Sequence, residues 1–156
     1  MSSQWPKTNG PNFVPAYQIS GIPYVTSSAC GLNPERVDFP AATRFFVIQN
    51  HGKLAGNTGH ANLRVGFTEN GVNGSESKNY FMLAASGSTS RLEIRCKTLF
   101  FRADDVGVGT KIKFDVLAGL SAVDAGEFPV LTGSTYLTAS DGKILNKARP
   151  RFKGVG

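Results

Sequence analysis

The chain has 156 residues, enough for one domain around a single hydrophobic core. Hydrophobic residues make up 40% and charged residues 18%, a balance that excludes a disordered chain. The net charge of +6 is concentrated at one end: up to Gly142 twelve Lys and Arg face eleven Asp and Glu, after which Lys143, Lys147, Arg149, Arg151 and Lys153 meet no acid. The body is therefore nearly neutral and residues 141–156 form a basic tail, either a solvated terminus or a segment that lies against phosphate or an acidic protein surface.

The opening MSSQWPKTNG has no apolar stretch after a basic start, and no apolar run in the chain reaches bilayer length. Synthesis in the cytoplasm without secretion is the expectation. Six of the eight prolines, Pro6, Pro11, Pro15, Pro23, Pro34 and Pro40, fall in the first forty residues and exclude a helix there. Residues 1–37 read as an extended arm, yet Trp5, Phe13, Tyr17, Ile19, Ile22, Tyr24 and Val25 are too apolar for a free linker. Residues 13–28 are either a strap on this domain or a neighbour, bent at Gly21 and Pro23, or the first strand of the chain's own sheet.

From residue 38 to 140 short strands alternate with turn signals. Arg44–Gln49 (RFFVIQ) is apolar on both sides, as expected of a strand covered twice or at a subunit contact. In Asn62–Thr68, Leu63, Val65 and Phe67 alternate with polar or small residues. Tyr80–Ala84 (YFMLA) is again apolar on both sides. Over Arg91–Phe101 the alternation predicts Leu92, Ile94, Cys96 and Phe100 inward and Arg91, Glu93, Arg95 and Lys97 on a solvated face. Ile112, Phe114 and Val116 against Lys111, Lys113 and Asp115 repeat the pattern, and Leu117–Glu127 is a candidate short helix weakened by Gly119 and Gly126. Turns are expected at Asn50-His51-Gly52, Gly56-Asn57, Asn70-Gly71, Asn73-Gly74, Gly87-Ser88 and Gly107-Val108-Gly109. The reading is an all-β sandwich or barrel.

Chemical machinery is not apparent. His51 and His60 lie in glycine-rich stretches, and Cys30 and Cys96 are far apart without metal-ligand spacing. No GxSxG elbow surrounds a serine, and Asp104-Asp105 sits on a turn rather than across a cleft from a second acid. Phosphate-cradling GxxxxGK[ST] and GxGxxG are missing, and no cofactor or small-molecule substrate is implied. The expectation is a non-enzymatic structural protein. A carbohydrate-binding sandwich using Trp5 or Tyr136, and a small nucleic-acid-binding coat protein using the tail, are the alternatives. A phage head-decoration subunit shares the features of the structural reading.

Taken together, residues 14–28 (VPAYQISGIPYVTSS), 39–50 (FPAATRFFVIQN), 63–72 (LRVGFTENGV), 80–101 (YFMLAASGSTSRLEIRCKTLFF) and 114–123 (FDVLAGLSAV) resemble single jelly-roll penton, or vertex, and minor capsid proteins of large nucleocytoplasmic DNA viruses. The likeness runs over roughly residues 13–132 and lies in the order and flavour of the strands. It implies a single jelly-roll sandwich, a virion location, a homopentamer closing icosahedral five-fold vertices, and major and minor capsid proteins as partners. No long insertion suggests a spike, which leaves host attachment outside what the resemblance implies. Under this reading Tyr17, Ile19, Ile22, Tyr24, Phe45, Phe46 and Ile48 are the candidate subunit contacts, and the basic tail faces genome, membrane head groups or acidic partners.

Overall fold

Nearly all the regular structure in the computed structural model is antiparallel β-sheet, with very little helix. The structure describes residues 21–53, 61–74, 78–104, 106–128 and 131. Among the described residues there are seven strands: β1 (Ile22–Cys30), β2 (Glu35–Asp38), β3 (Ala41–Lys53), β4 (Leu63–Gly66), β5 (Tyr80–Leu83), β6 (Thr98–Ala103) and β7 (Ile112–Asp124). They make a three-stranded sheet in the order β1-β7-β3 and a four-stranded sheet in the order β2-β6-β4-β5. Residues 87–92 run along the outer edge of β3, where Phe46 and Leu92 exchange backbone hydrogen bonds of 3.0 and 2.9 Å and Asn50 N–H donates to Gly87 O at 2.8 Å.

The alternation read from the sequence sets the inward faces. Ile112, Phe114, Val116, Ala118 and Leu120 on β7 are all buried, as are Phe46 and Ile48 on β3 and Leu63 and Val65 on β4. They meet Leu99, Phe101 and Ala103 of the opposite sheet. Phe101 and Phe114 stack with ring centroids 4.1 Å apart, joining β6 of one sheet to β7 of the other. Among the described residues four buried polar side chains serve the backbone where strands end or bend. Thr43 Oγ1 lies 2.8 Å from Ile94 O and accepts Cys96 N–H at 2.9 Å, while Ser121 donates to Ala42 O at 2.7 Å.

Several expectations change. The strap question resolves for residues 22–30, which form β1 of the chain's own sheet in nine consecutive pairs with β7. The earlier residues of the arm, the Gly56-Asn57 turn and the basic tail lie outside the described residues. The candidate helix at Leu117–Glu127 is instead the second half of β7, followed by a single 3-10 turn at Ala125–Glu127. Hydrogen bonding from β1 on one side and β3 on the other outweighs the modest local helical tendency. Over Arg91–Phe101 the phase slips by one residue: Cys96, Leu99 and Phe101 are buried, whereas Phe100 is half-buried on the outside and Ile94 is exposed. The regular strand starts only at Thr98, so one alternation cannot span the whole stretch. Asn70-Gly71 lies inside a short helix, α1 (Glu69–Asn73), rather than a hairpin turn; Thr68 caps it by accepting Gly71 N–H, and Gly74 ends it at φ +72°. In β5 only Leu83 is buried and Met82 is exposed, so that strand is not covered twice.

Candidate functional site: the outer face of the three-stranded sheet

With every second residue of β7 committed to the core, Asp115, Leu117 and Gly119 point the other way. The pairing registers place residues of β1 and β3 beside each of them. The first row is Pro23–Gly119–Phe45, the second Val25–Leu117–Val47 and the third Ser27–Asp115–Gln49. Two apolar rows are thus followed by a polar one. Val25 is 68% exposed and Leu117 46%, although both are aliphatic and sit beside each other in the middle of their strands.

The first and third rows are each held by a specific contact. Phe45 lies flat across Gly119, where a Cβ would stand 2.4 Å from Phe45 Cε1, so only glycine leaves room for the ring. Arg91 stacks its guanidinium 4.0 Å from the Phe45 ring centre and borders the first row with positive charge. In the third row the Asp115 carboxylate accepts from Ser27 Oγ on one oxygen and faces His51 Nε2 at 2.5 Å on the other. The Ser27 hydrogen bond, then that of His51, hold the Asp115 carboxyl below the usual carboxylate range. An ionised carboxylate only accepts, so His51 is the donor.

This trio joins β1, β7 and β3 as a clasp. Its geometry differs from a nucleophile relay, in which the imidazole stands between hydroxyl and carboxylate; here the carboxylate stands in the middle. Among the described residues no three His, Cys, Asp or Glu side chains are grouped to hold a metal ion. Cys30 and Cys96 are both buried free thiols. Burial, with Glu35 adding to it, pushes Cys30 up to about 12; burial pushes Cys96 up to about 11, partly offset by the Thr43 hydroxyl. Both are in the form that does not attack.

The residues expected at a subunit contact, and those of the basic tail, separate into three groups. Tyr17, Ile19, Lys143, Lys147, Arg149, Arg151 and Lys153 lie outside the described residues. Phe46 and Ile48 are wholly buried between the sheets and belong to the fold, because even-numbered positions of this part of β3 face the core. Tyr24 packs edge-on against Phe39 at the sandwich rim, Ile22 is 41% exposed at the start of β1, and Phe45 is on the outer face. Val25, Val47 and Leu117 complete the apolar strip and were not singled out from the sequence. Val25 was visible as one more apolar residue of the arm, but its adjacency to Leu117 depends on a pairing between strands at opposite ends of the domain. A second apolar area lies between β5 and the 87–92 edge, lined by Phe67, Phe81, Met82, Leu92 and Ile94.

Comparison with protein-family models gives no match, and comparison with curated proteins gives none either.

Proposed function

We propose that the chain is a structural subunit of an icosahedral capsid, a single jelly roll that closes five-fold vertices as a homopentamer. The observation that carries this reading is the nesting of the strand pairs. Counting residues 87–92 as an eighth strand, the first pairs with the last (β1 with β7) and the second with the last but one (β2 with β6). The third then pairs with residues 87–92, and the two innermost, β4 and β5, pair with each other. A long antiparallel hairpin rolled over itself into two sheets gives that nesting, and it is the pattern of a jelly roll. The resemblance of the strand segments to vertex capsid proteins points the same way. The apolar strip on the outer face adds a reason for assembly, since a monomer gains nothing by presenting Val25 and Leu117 to water.

In this reading the described body supplies the packed wall of the vertex. The tail, with Lys143, Lys147, Arg149, Arg151 and Lys153, contacts genome, membrane head groups or acidic capsid neighbours by charge and without sequence preference. Major and minor capsid proteins are the surrounding partners. Light scattering of the purified full chain tests the assembly: the expected mass is about 83 kDa, five times the 16.6 kDa protomer. A single species at the protomer mass across micromolar concentrations, with no change on adding salt, would count against a self-assembling vertex subunit.

A further inference from the structure

β1 is an edge strand of an unusual kind. It runs for nine residues in unbroken register with β7, it contains no charged side chain, and among the described residues it pairs with β7 alone. Long, flat, uncharged edges invite strand addition, and proteins ordinarily blunt them with charge, shortness or cover. The other sheet edges among the described residues are blunted. β2 has four residues and carries Glu35, Arg36 and Asp38; β5 has four residues; β3 is covered by residues 87–92. Among the described residues β1 therefore stands out as an edge left open for a partner.

What fits there is set by the neighbouring rows. An added strand would extend Val47–Leu117–Val25 by one more place, and so needs apolar residues at alternate positions and no charge. The sequence just before β1 meets that requirement: no residue from Thr8 to Pro34 is charged, and Phe13, Pro15, Tyr17 and Ile19 occupy alternate positions. The single proline is tolerated because an added strand is itself an edge. Residues 13–19 lie outside the described residues. Gly21 is pressed against β7, a Cβ there standing 2.6 Å from Gly119 Cα. A tight turn at Ser20-Gly21 that returned residues 13–19 along their own β1 would have to lift Gly21 off β7, which favours the β1 of another copy.

We infer that the open edge of β1 receives residues 13–19 of a second copy as an added strand, linking copies head to tail. A contact between two different surfaces of the same chain closes into a ring when its rotation closes. The inference deepens the proposed function and rests on its premise that the chain self-associates.

The test uses two full-length variants, Val25→Lys at the edge and Ile19→Lys in the segment, with light scattering of each alone and of an equal mixture. Each variant alone is expected at the protomer mass. The mixture is expected to form a two-chain species, since the intact segment of Val25→Lys can enter the intact edge of Ile19→Lys. Val25→Lys changes a solvent-exposed side chain, and thermal unfolding checks that it folds; Val25→Asp serves in its place if it does not. Wild-type mass in both variants would overturn the inference and leave the capsid reading standing. Variants that are monomeric but fail to combine would overturn it too. A monomeric wild type whose melting temperature drops with Ile19→Lys would place the segment on its own domain, overturning the exchange and the assembly premise together.

Discussion

Asn50 shows how much a single buried polar side chain carries in this fold. Its Nδ2 donates toward the carbonyls of Ala61, Leu83 and Ala84 at 3.1–3.2 Å, and its Oδ1 accepts Gly52 N–H at 2.8 Å, so β3, the approach to β4 and the end of β5 meet on one amide. Asn50-His51-Gly52, expected as a turn, instead lies within β3 at the register shift before Lys53, where Asn50 braces Gly52 at φ +76°. Asn50→Leu leaves these carbonyls without a donor in a dry site, and the expected loss is about 3 kcal/mol in urea unfolding. Asn50→Asp should cost more than Asn50→Leu, because a carboxylate would face carbonyl oxygens; a leucine variant within about 1 kcal/mol of wild type would show that the amide is dispensable. Cys30 and Cys96 give a second prediction at this scale. With both thiols buried and held protonated well above neutrality, iodoacetamide at pH 8 should leave the native protein unmodified and add two carbamidomethyl groups only in denaturant. Mass spectrometry reads the result directly, and rapid native labelling would mean that one of the thiols reaches solvent.

At the scale of the element, β7 organises the three-stranded sheet and Gly119 is its tightest point. Gly119→Ala would drive a Cβ into the Phe45 ring and dislodge it from beneath Arg91, for an expected cost of about 1–3 kcal/mol. The same change in a Phe45→Ala background should cost less, and equal costs in a double-mutant cycle would show that the ring is not the obstacle. β7 also marks where the sequence was legible and where it was not. Ile112, Phe114 and Val116 alternate with charged residues, so their inward face could be read directly. Beyond Leu117 the strand is made of small and apolar residues on both faces, which local pattern does not separate from a short helix. The pairing partners that decide it come from residues far away in the chain. The same reasoning explains Arg91–Phe101, where alternating charges suggested one strand although the regular strand starts only at Thr98 and Ile94 is exposed, and the apolar run Leu99–Phe101 hid the slip. Most of the candidate site was hidden for a related reason. Phe45 is recognisable as apolar, but the strip exists only when Val25, Leu117 and Val47 are set side by side by register.

For the whole molecule, the two sheets share one core and should unfold as one. The Phe101–Phe114 stack bridges them, and the buried cluster around it draws side chains from both. Native-state hydrogen exchange should therefore give β4–β6 and β3–β7 amides the same opening free energy, and Phe114→Leu should lower both equally. Protection lost from one sheet alone would indicate two separate units. The nesting of the strands has a further consequence, for the order in which the protein can be made. β1 is the first described strand and β7 the last, and β7 is the neighbour that joins β1 to β3. Until the ribosome has released residues up to about Asp124, neither β1 nor the inner side of β3 has its partner, and the pairs it then closes are among the longest in the chain. Such distant closures are slow, and the nascent chain exposes the uncharged β1 while it waits. Formation of the three-stranded sheet is thus tied to the completion of β7, late in synthesis.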